Sequence, residues 1–347
     1  MNLDTRPRLT RCLALSFCLW AIGLAAARAA ETPSVDELLA YLHIDKSERE
    51  NLLRGKILST EVTEGSEKEL AVGVVMFVPA PMDKLVEFVR SGKVFTTDRE
   101  VIGFGELKET ADVKDLSGIA FTPEQTKEAA GLLEIGPGLR FNLATDEIQA
   151  FRALKSVARE RSAIPAAVAQ VYQQLLWRRY QAYREGGLTA IAPYDRGGGR
   201  VSRPGEELLG ALKESTLMAD HFPWIHQALR EFPRQQPKDA VHRFFWVNQK
   251  VENRPTFTLT HRMSVVRPEG AFMAERQYYV AHSYNSSFLL AGCLPLAGGT
   301  VVLYSNHTST DQVMGLGGGL RHSIGRGQMR EEVVKSFERI RASLSSP

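Results

Sequence analysis

Two stretches of the chain hold residue types that do chemistry. In TFTLTHRMSVV, Phe257, Leu259, His261, Met263 and Val265 alternate with smaller or polar residues, so in a strand they share one face. His261 then lies among large apolar side chains, where an imidazole can orient a ligand or move a proton. The following run repeats the alternation with Phe272, Ala274, Arg276, Tyr278 and Val280, and later runs add Tyr284, Tyr304 and His307. An apolar wall carrying a few polar groups is the usual make-up of a small-molecule site. His261, Met263, Arg276, Tyr278, Tyr284, Tyr304 and His307 are therefore the expected ligand-binding set.

The second stretch, GLGGGLRHSIGRGQM, puts six glycines beside Arg321, His322 and Arg326. It does not read as a phosphate cradle. From Gly315 and Gly317 the sixth position is Leu320, and no lysine lies between Val313 and Met329, so neither glycine-rich nucleotide signature fits. Gly317, Gly318 and Gly319 are expected to hinge a gate loop, with Arg321, His322 and Arg326 placed to meet an acidic head group.

Other chemistry finds little purchase. The eight histidines show no His-x-x-x-His or His-Glu-x-x-His spacing, so no metal site is expected. His307 and Asp311 bracket NHTSTD, a pattern that ordinary turn polarity explains. There is no Gly-x-Ser-x-Gly elbow. Cys293 sits in the apolar run SSFLLAGCLPL and reads as a buried small hydrophobe. No cofactor is implied. Arg178, Arg179, Arg184 and Arg196, with Tyr180 and Tyr183, form a basic aromatic patch expected to be an ion-paired helix surface.

The N-terminus bears on charge. Arg6, Arg8 and Arg11 precede the apolar run Leu13 to Ala27, and Ala27-Arg28-Ala29 resembles a cleavage site. The run is shorter than the roughly 20 residues a spanning helix needs. Residues 1–29 are thus expected to be a cleaved signal peptide, which makes the protein periplasmic or secreted. That segment holds four arginines and one acid, so the remainder carries 39 basic and 39 acidic residues. Without a charge excess, no nucleic-acid partner is expected.

Elements able to position these residues follow from period and punctuation. Capping signals open short helices across 34–55. Lys56 to Val62 and Glu69 to Val78 read as a hairpin, and Met82 to Arg90, after Pro79-Ala80-Pro81, as a helix. Residues of about 105 to 238 read as helical, with Gly197 to Gly199 in a flexible connector. From His242 five strand-like runs follow at short spacing, an antiparallel meander. Met329, Val333, Phe337, Ile340 and Leu344 fall at steps of four, four, three and four. They make one apolar stripe on a helix from about Gly327 to Leu344.

The runs VGVVMFVPAPMDKLVEFV and HSIGRGQMREEVVKSFERIR resemble the first strands and closing helix of the START-like helix-grip superfamily. The likeness implies an α+β fold in which a curved antiparallel sheet grips a long amphipathic C-terminal helix, with an apolar ligand cavity between them. The helical middle would be an insertion in a single domain spanning residues 30–347. Many members of that superfamily bind lipids, sterols or polyketides. The expected function is an exported carrier or sensor of a lipid or other hydrophobic small molecule, in peripheral contact with a membrane. Two readings stay open beside it: an acid–base enzyme using His261, Arg276 or a tyrosine on a hydrophobic substrate, and an exported interaction domain.

Overall fold

The structure is a computed structural model that describes residues 33–156, 161–315 and 317–345; the expected signal peptide lies outside the described residues. Two capped helices, α1 (Val35–Tyr41) and α2 (Lys46–Leu53), come first. Ser34 with Glu37, and Asp45 with Glu48, close reciprocal capping boxes that satisfy the first free amides of each helix. Then come β1 (Leu58–Thr60), β2 (Glu69–Val78), α3 (Met82–Arg90), α4 (Val94–Thr97) and β3 (Val101–Leu107). The middle supplies α5 (Thr126–Leu133), α6 (Thr145–Ala153), α7 (Ile164–Gly186), a small hairpin of β4 (Tyr194–Gly197) and β5 (Arg200–Ser202), α8 (Pro204–Lys213), α9 (Thr216–His221) and α10 (Pro223–Glu231). Strands β6 (Val241–Val251), β7 (Arg254–Arg267), β8 (Gly270–Val280), β9 (Ser286–Leu296) and β10 (Gly299–Ser309) lead to α11 (Gly318–Ser345).

Eight strands join in one sheet, ordered β1-β2-β10-β9-β8-β7-β6-β3, and every neighbouring pair is antiparallel. The class is α+β, a large antiparallel sheet with a C-terminal helix. Both faces of the sheet are covered. On one, Val72, Val74, Met76 and Val78 of β2 join Ala271, Met273, Cys293 and Val302 under Val333, Phe337, Ile340 and Leu344 of α11. The expected stripe on the last helix is thus the packed one, and each such side chain removed from water contributes about 1.5–3 kcal/mol. The opposite face, with Leu259, Met263, Phe272, Ala274, Leu290 and Leu303, packs with buried residues of α1 and α5–α10.

Three local expectations are corrected. Strand β3 lies within VIGFGEL, whose two glycines disguise its period. The residue opposite Gly105 is Trp246, and a Cβ on Gly105 would stand 2.4 Å from its Nε1. Gly197 to Gly199 turn the β4–β5 hairpin with φ of 79°, 61° and 76°, the region glycine enters without steric cost. The gate loop is the third. Only Gly315 and Gly317 keep left-handed φ, while Gly318, Gly319, Arg321, His322 and Arg326 lie in the first turns of α11. Interior glycines cost a helix only about 1 kcal/mol each. Here contacts outweigh that cost: His322 Nε2 meets the Glu69 carbonyl at 2.8 Å and the Glu64 carboxylate at 2.9 Å. Gly325 also allows close packing, since a Cβ there would lie 3.0 Å from Leu70.

The Trp246 indole lies against Gly118 as well as Gly105, and its Nε1 donates to the Asp115 carbonyl at 3.1 Å. A Cβ at Gly118 would come within 2.6 Å of the ring. Gly118→Ala is expected to cost about 1–3 kcal/mol, the range for overpacking a filled site. An urea-unfolding midpoint equal to that of the parent chain would contradict the packing described.

Candidate functional site

The β6–β7–β8 register sets the first cluster. His261 pairs directly with Phe244 on one side and Arg276 on the other, so the polar residues expected to act together do stand side by side. From α7, Tyr183 reaches down to both. Its hydroxyl lies 2.8 Å from His261 Nδ1, Arg276 Nη1 is 3.4 Å from that hydroxyl, and His261 Nε2 lies 2.9 Å from His242 Nδ1. A second Arg276 nitrogen donates to the Leu229 carbonyl. Burial first, then the charges of His242 and Arg276, push the His261 imidazole well below its ordinary range. Burial and Arg276 lower His242 too. With both rings neutral, one hydrogen bond joins Tyr183 to His261 and a second joins His261 to His242.

The cluster is filled. Phe244 stacks on His261 at 4.5 Å and 11°, Phe232 lies 4.4 Å away, and Tyr278 stacks on Tyr183 at 4.0 Å. Burial, followed by the neighbouring tyrosines, raises the Tyr278 hydroxyl well above the phenol range. His261 does not line the cavity that lies beneath α1, α9 and α10; with Arg276 it ties α7 and α10 to the sheet.

The remaining sequence-selected residues scatter. Tyr304 points to the α11 face, its ring 4.8 Å from Phe337. Tyr284, in the β8–β9 turn, donates to Gln277 at 2.5 Å. Of the two arginines expected at the surface that turn inward, Arg179 is buried and Arg196 partly buried. Arg179 grips Glu147 with bonds of 2.7 and 2.6 Å and lies over Tyr279. Arg196 bonds Asp311, Asn142 and Asn285 at 2.8–2.9 Å. Burial alone would raise the Asp311 carboxyl, but hydrogen bonds from Lys68 and Ser202 and the charge of Arg196 hold it down at about 2. Cys293 is buried, and burial pushes its thiol up to about 12. His307 and Asp311 turn to different partners, and among the described residues no group of three His, Cys, Asp or Glu could hold a metal ion.

The hollow that can take a ligand lies elsewhere on the same face. A cavity of about 880 Å³ spreads between β7–β10 and helices α1, α9 and α10, a volume typical of small-molecule sites. Its sheet wall is Met263, Phe272, Ala274, Leu290, Gly292, Leu303 and Ser305, and its roof includes Leu38, Leu42, Ile44, Leu217, Met218, Phe222 and Ile225. Exposed His43, Ser59, Glu61, Thr63 and Thr216 form its rim. No residue of α11 lines it, so it lies on the face opposite the one expected to hold it. Of the sequence-selected residues, Met263, Tyr304 and His307 border it, whereas His261, Arg276, Tyr278 and Tyr284 do not.

Sequence reasoning missed the partner of His307. Its Nδ1 bonds the carboxylate of Glu69, 238 residues away, and the other Glu69 oxygen accepts from the Gly65 amide at 2.8 Å. Both side chains are almost wholly buried, and His307 Nε2 has no hydrogen-bond partner among the described residues. The register that pairs His307 with Ala71 brings Glu69 within reach, which is a strand-pairing fact and not a spacing one.

With this geometry established, comparison with family models, curated proteins and solved structures finds no match to the chain in any of the three.

His261 held neutral makes the fold acid-sensitive. Below about pH 6.5 the unfolded imidazole takes up a proton that the folded one refuses, so stability falls as pH drops from 7 towards 5. His261→Phe should lose about 1–3 kcal/mol at pH 7.5, because Tyr183 and His242 are left without their partner. Its stability should then fall less steeply between pH 7 and 5. Urea titrations across that range check both, and an unchanged slope would count against a neutral buried His261.

Proposed function

We propose that the protein is an exported carrier or sensor that holds a lipid or other hydrophobic small molecule in the cavity beneath α1, α9 and α10. The observation carrying this reading is the cavity itself: about 880 Å³ with an apolar sheet wall and an exposed rim. Export rests on the basic, apolar and small-residue order of residues 1–29. The helix-grip likeness remains part of the proposal. The long α11 lying across one face of the sheet supports it, while the hollow on the other face departs from it.

An acid–base enzyme on a hydrophobic substrate is the second reading. The buried Glu69–His307 pair beside the cavity is the observation that favours it. His261 and Arg276, the residues first expected to serve, do not reach the cavity.

Membrane contact belongs to the same proposal. Leu320 and Ile324, one turn apart on α11, are 70% and 51% exposed, and exposed Arg321, Arg326 and Arg330 surround them. Such a surface suits the interface of an anionic bilayer, where each arginine adds about 1 kcal/mol. No helix among the described residues is long and apolar enough to cross a membrane. The double variant Leu320→Glu, Ile324→Glu should lower partition onto phosphatidylglycerol vesicles at least fivefold by cosedimentation; equal partition would rule this surface out.

The cavity reading is tested by uptake of the neutral probe N-phenyl-1-naphthylamine, followed by its fluorescence. Gly292 lines the cavity, and a Cβ there would make only ordinary contacts, 3.8 Å from Phe272 and 4.0 Å from Leu303. Gly292→Leu is expected to fold as the parent does and to bind the probe at least tenfold more weakly. A parent chain that takes up no probe, or a variant that binds it equally, overturns the proposal.

A further inference from the structure

The sheet ends in two edge strands, and only one of them is blunted. β1 offers three residues, too short a row to template another strand. β3 offers seven and pairs with β6 alone, and among the described residues no strand hydrogen-bonds its outer side. It carries no proline, and its first five residues, VIGFG, carry no charge. Ile102 and Phe104 are 41% and 37% exposed. A bulge between Val101 and Gly103 interrupts the ladder to β6, yet exposure still alternates through it, with Ile102, Phe104 and Glu106 outward. A partly apolar edge of this length is a ready template for a further strand.

The charges flanking β3 say which strand fits. Arg99 and Glu100 precede it, Lys108 and Glu109 follow it, and all four are exposed. Among the described residues Arg99, Glu100 and Lys108 make no ion pair, and Glu109 has only Arg184, at 3.8 Å. A second copy of β3, related by a two-fold axis normal to the sheet, runs antiparallel and sets residues of like parity opposite one another. With Phe104 opposite its own counterpart, Glu100 comes beside Lys108 and Arg99 beside Glu109, each pair occurring twice. Centring on Gly103 would set Glu100 against Glu106, and centring on Gly105 would set it against Thr110. Opposite charges stabilise a strand pair and like charges oppose it. Phe104 already packs on Phe95 with centroids 5.1 Å apart, so a second Phe104 extends an aromatic row with Ile102 diagonal to it.

We propose that two copies of the chain associate edge to edge through β3, forming one continuous antiparallel sheet. Phe104 meets its counterpart on the axis, and Glu100 meets Lys108 of the second copy on either side. No residue of β3 lines the cavity, so the association stands apart from the reading of that cavity as a ligand site.

The test is sedimentation equilibrium of the protein over the micromolar range, where a dimer is expected. Lys108→Glu sets like charges together on both sides of the axis and should raise the dimer dissociation constant at least tenfold. The double variant Glu100→Lys, Lys108→Glu restores both pairs with their signs exchanged and should bring the constant back to within about threefold of the parent. Both positions are exposed, and neither side chain has an ion-pair partner among the described residues, so the substitutions leave the fold intact. A parent chain that stays monomeric overturns the proposal and leaves the edge to a strand of some other protein. A dimer that Lys108→Glu leaves unchanged, or that the double variant fails to restore, overturns it as well.

Discussion

One sheet covered on both sides is the constraint from which the rest of the structure follows. In an antiparallel sheet with one solvated face, alternate residues can be polar at no cost. Here α11 claims one set of side chains and the helices between β3 and β6 claim the other. Every strand from β6 to β10 must therefore bury both faces, and the polar residues it carries must find partners inside. A one-residue slip would exchange the two sets. One ion pair spans the register directly: Arg262 bonds Glu275 across the β7–β8 pair at 2.9 and 2.6 Å, on the α11 face.

The other buried charges serve the same end at the seam between sheet and helical middle. Arg179 with Glu147 joins α7 to α6, and Arg196 with Asp311 joins the β4–β5 hairpin to the turn after β10. Arg276, through Tyr183, joins β8 to α7. Removing one member of the fully buried Arg179–Glu147 pair leaves an uncompensated charge, which typically costs about 3–5 kcal/mol. These residues specify how the helical middle docks, and that docking sets the size of the gap beneath α9 and α10.

What was legible in the sequence is what depends on local period. The bounds of β2 and α3, the five-strand meander and the stripe on α11 all follow from repeats of two or 3.6 residues. So does the meeting of His261 with Arg276, because two alternating strands in one hairpin leave few registers. What escaped depends on partners far along the chain. Strand β3 hides behind glycines needed by Trp246, and Glu69 meets His307 only through the β2–β10 pairing. Arg179 and Arg196 looked like a surface patch because nothing local announces Glu147 or Asp311. The start of α11 was misplaced because glycine propensity was weighed without the contacts of His322 and Gly325. The face holding the cavity was misassigned for a related reason. Alternation tells which residues share a face, not which helices will cover it.

The cavity then has a compositional cause within that face. Its aromatic half is plugged by Tyr172, Tyr180 and Tyr183 of α7 against Phe244, Phe257 and Tyr278. Along the neighbouring rows the strands carry Ala274, Gly292 and Ser305 where bulky residues would fill the gap. Alanine, glycine and serine are poor strand formers, and an interior glycine weakens the strand that holds it. Gly292 adopts no left-handed conformation, and a Cβ there would meet only ordinary contacts. Neither backbone geometry nor close packing therefore requires glycine at that position. All three small residues line the cavity. Stability by itself would favour larger side chains on this wall, and the hollow that the smaller ones leave is the feature a ligand would use.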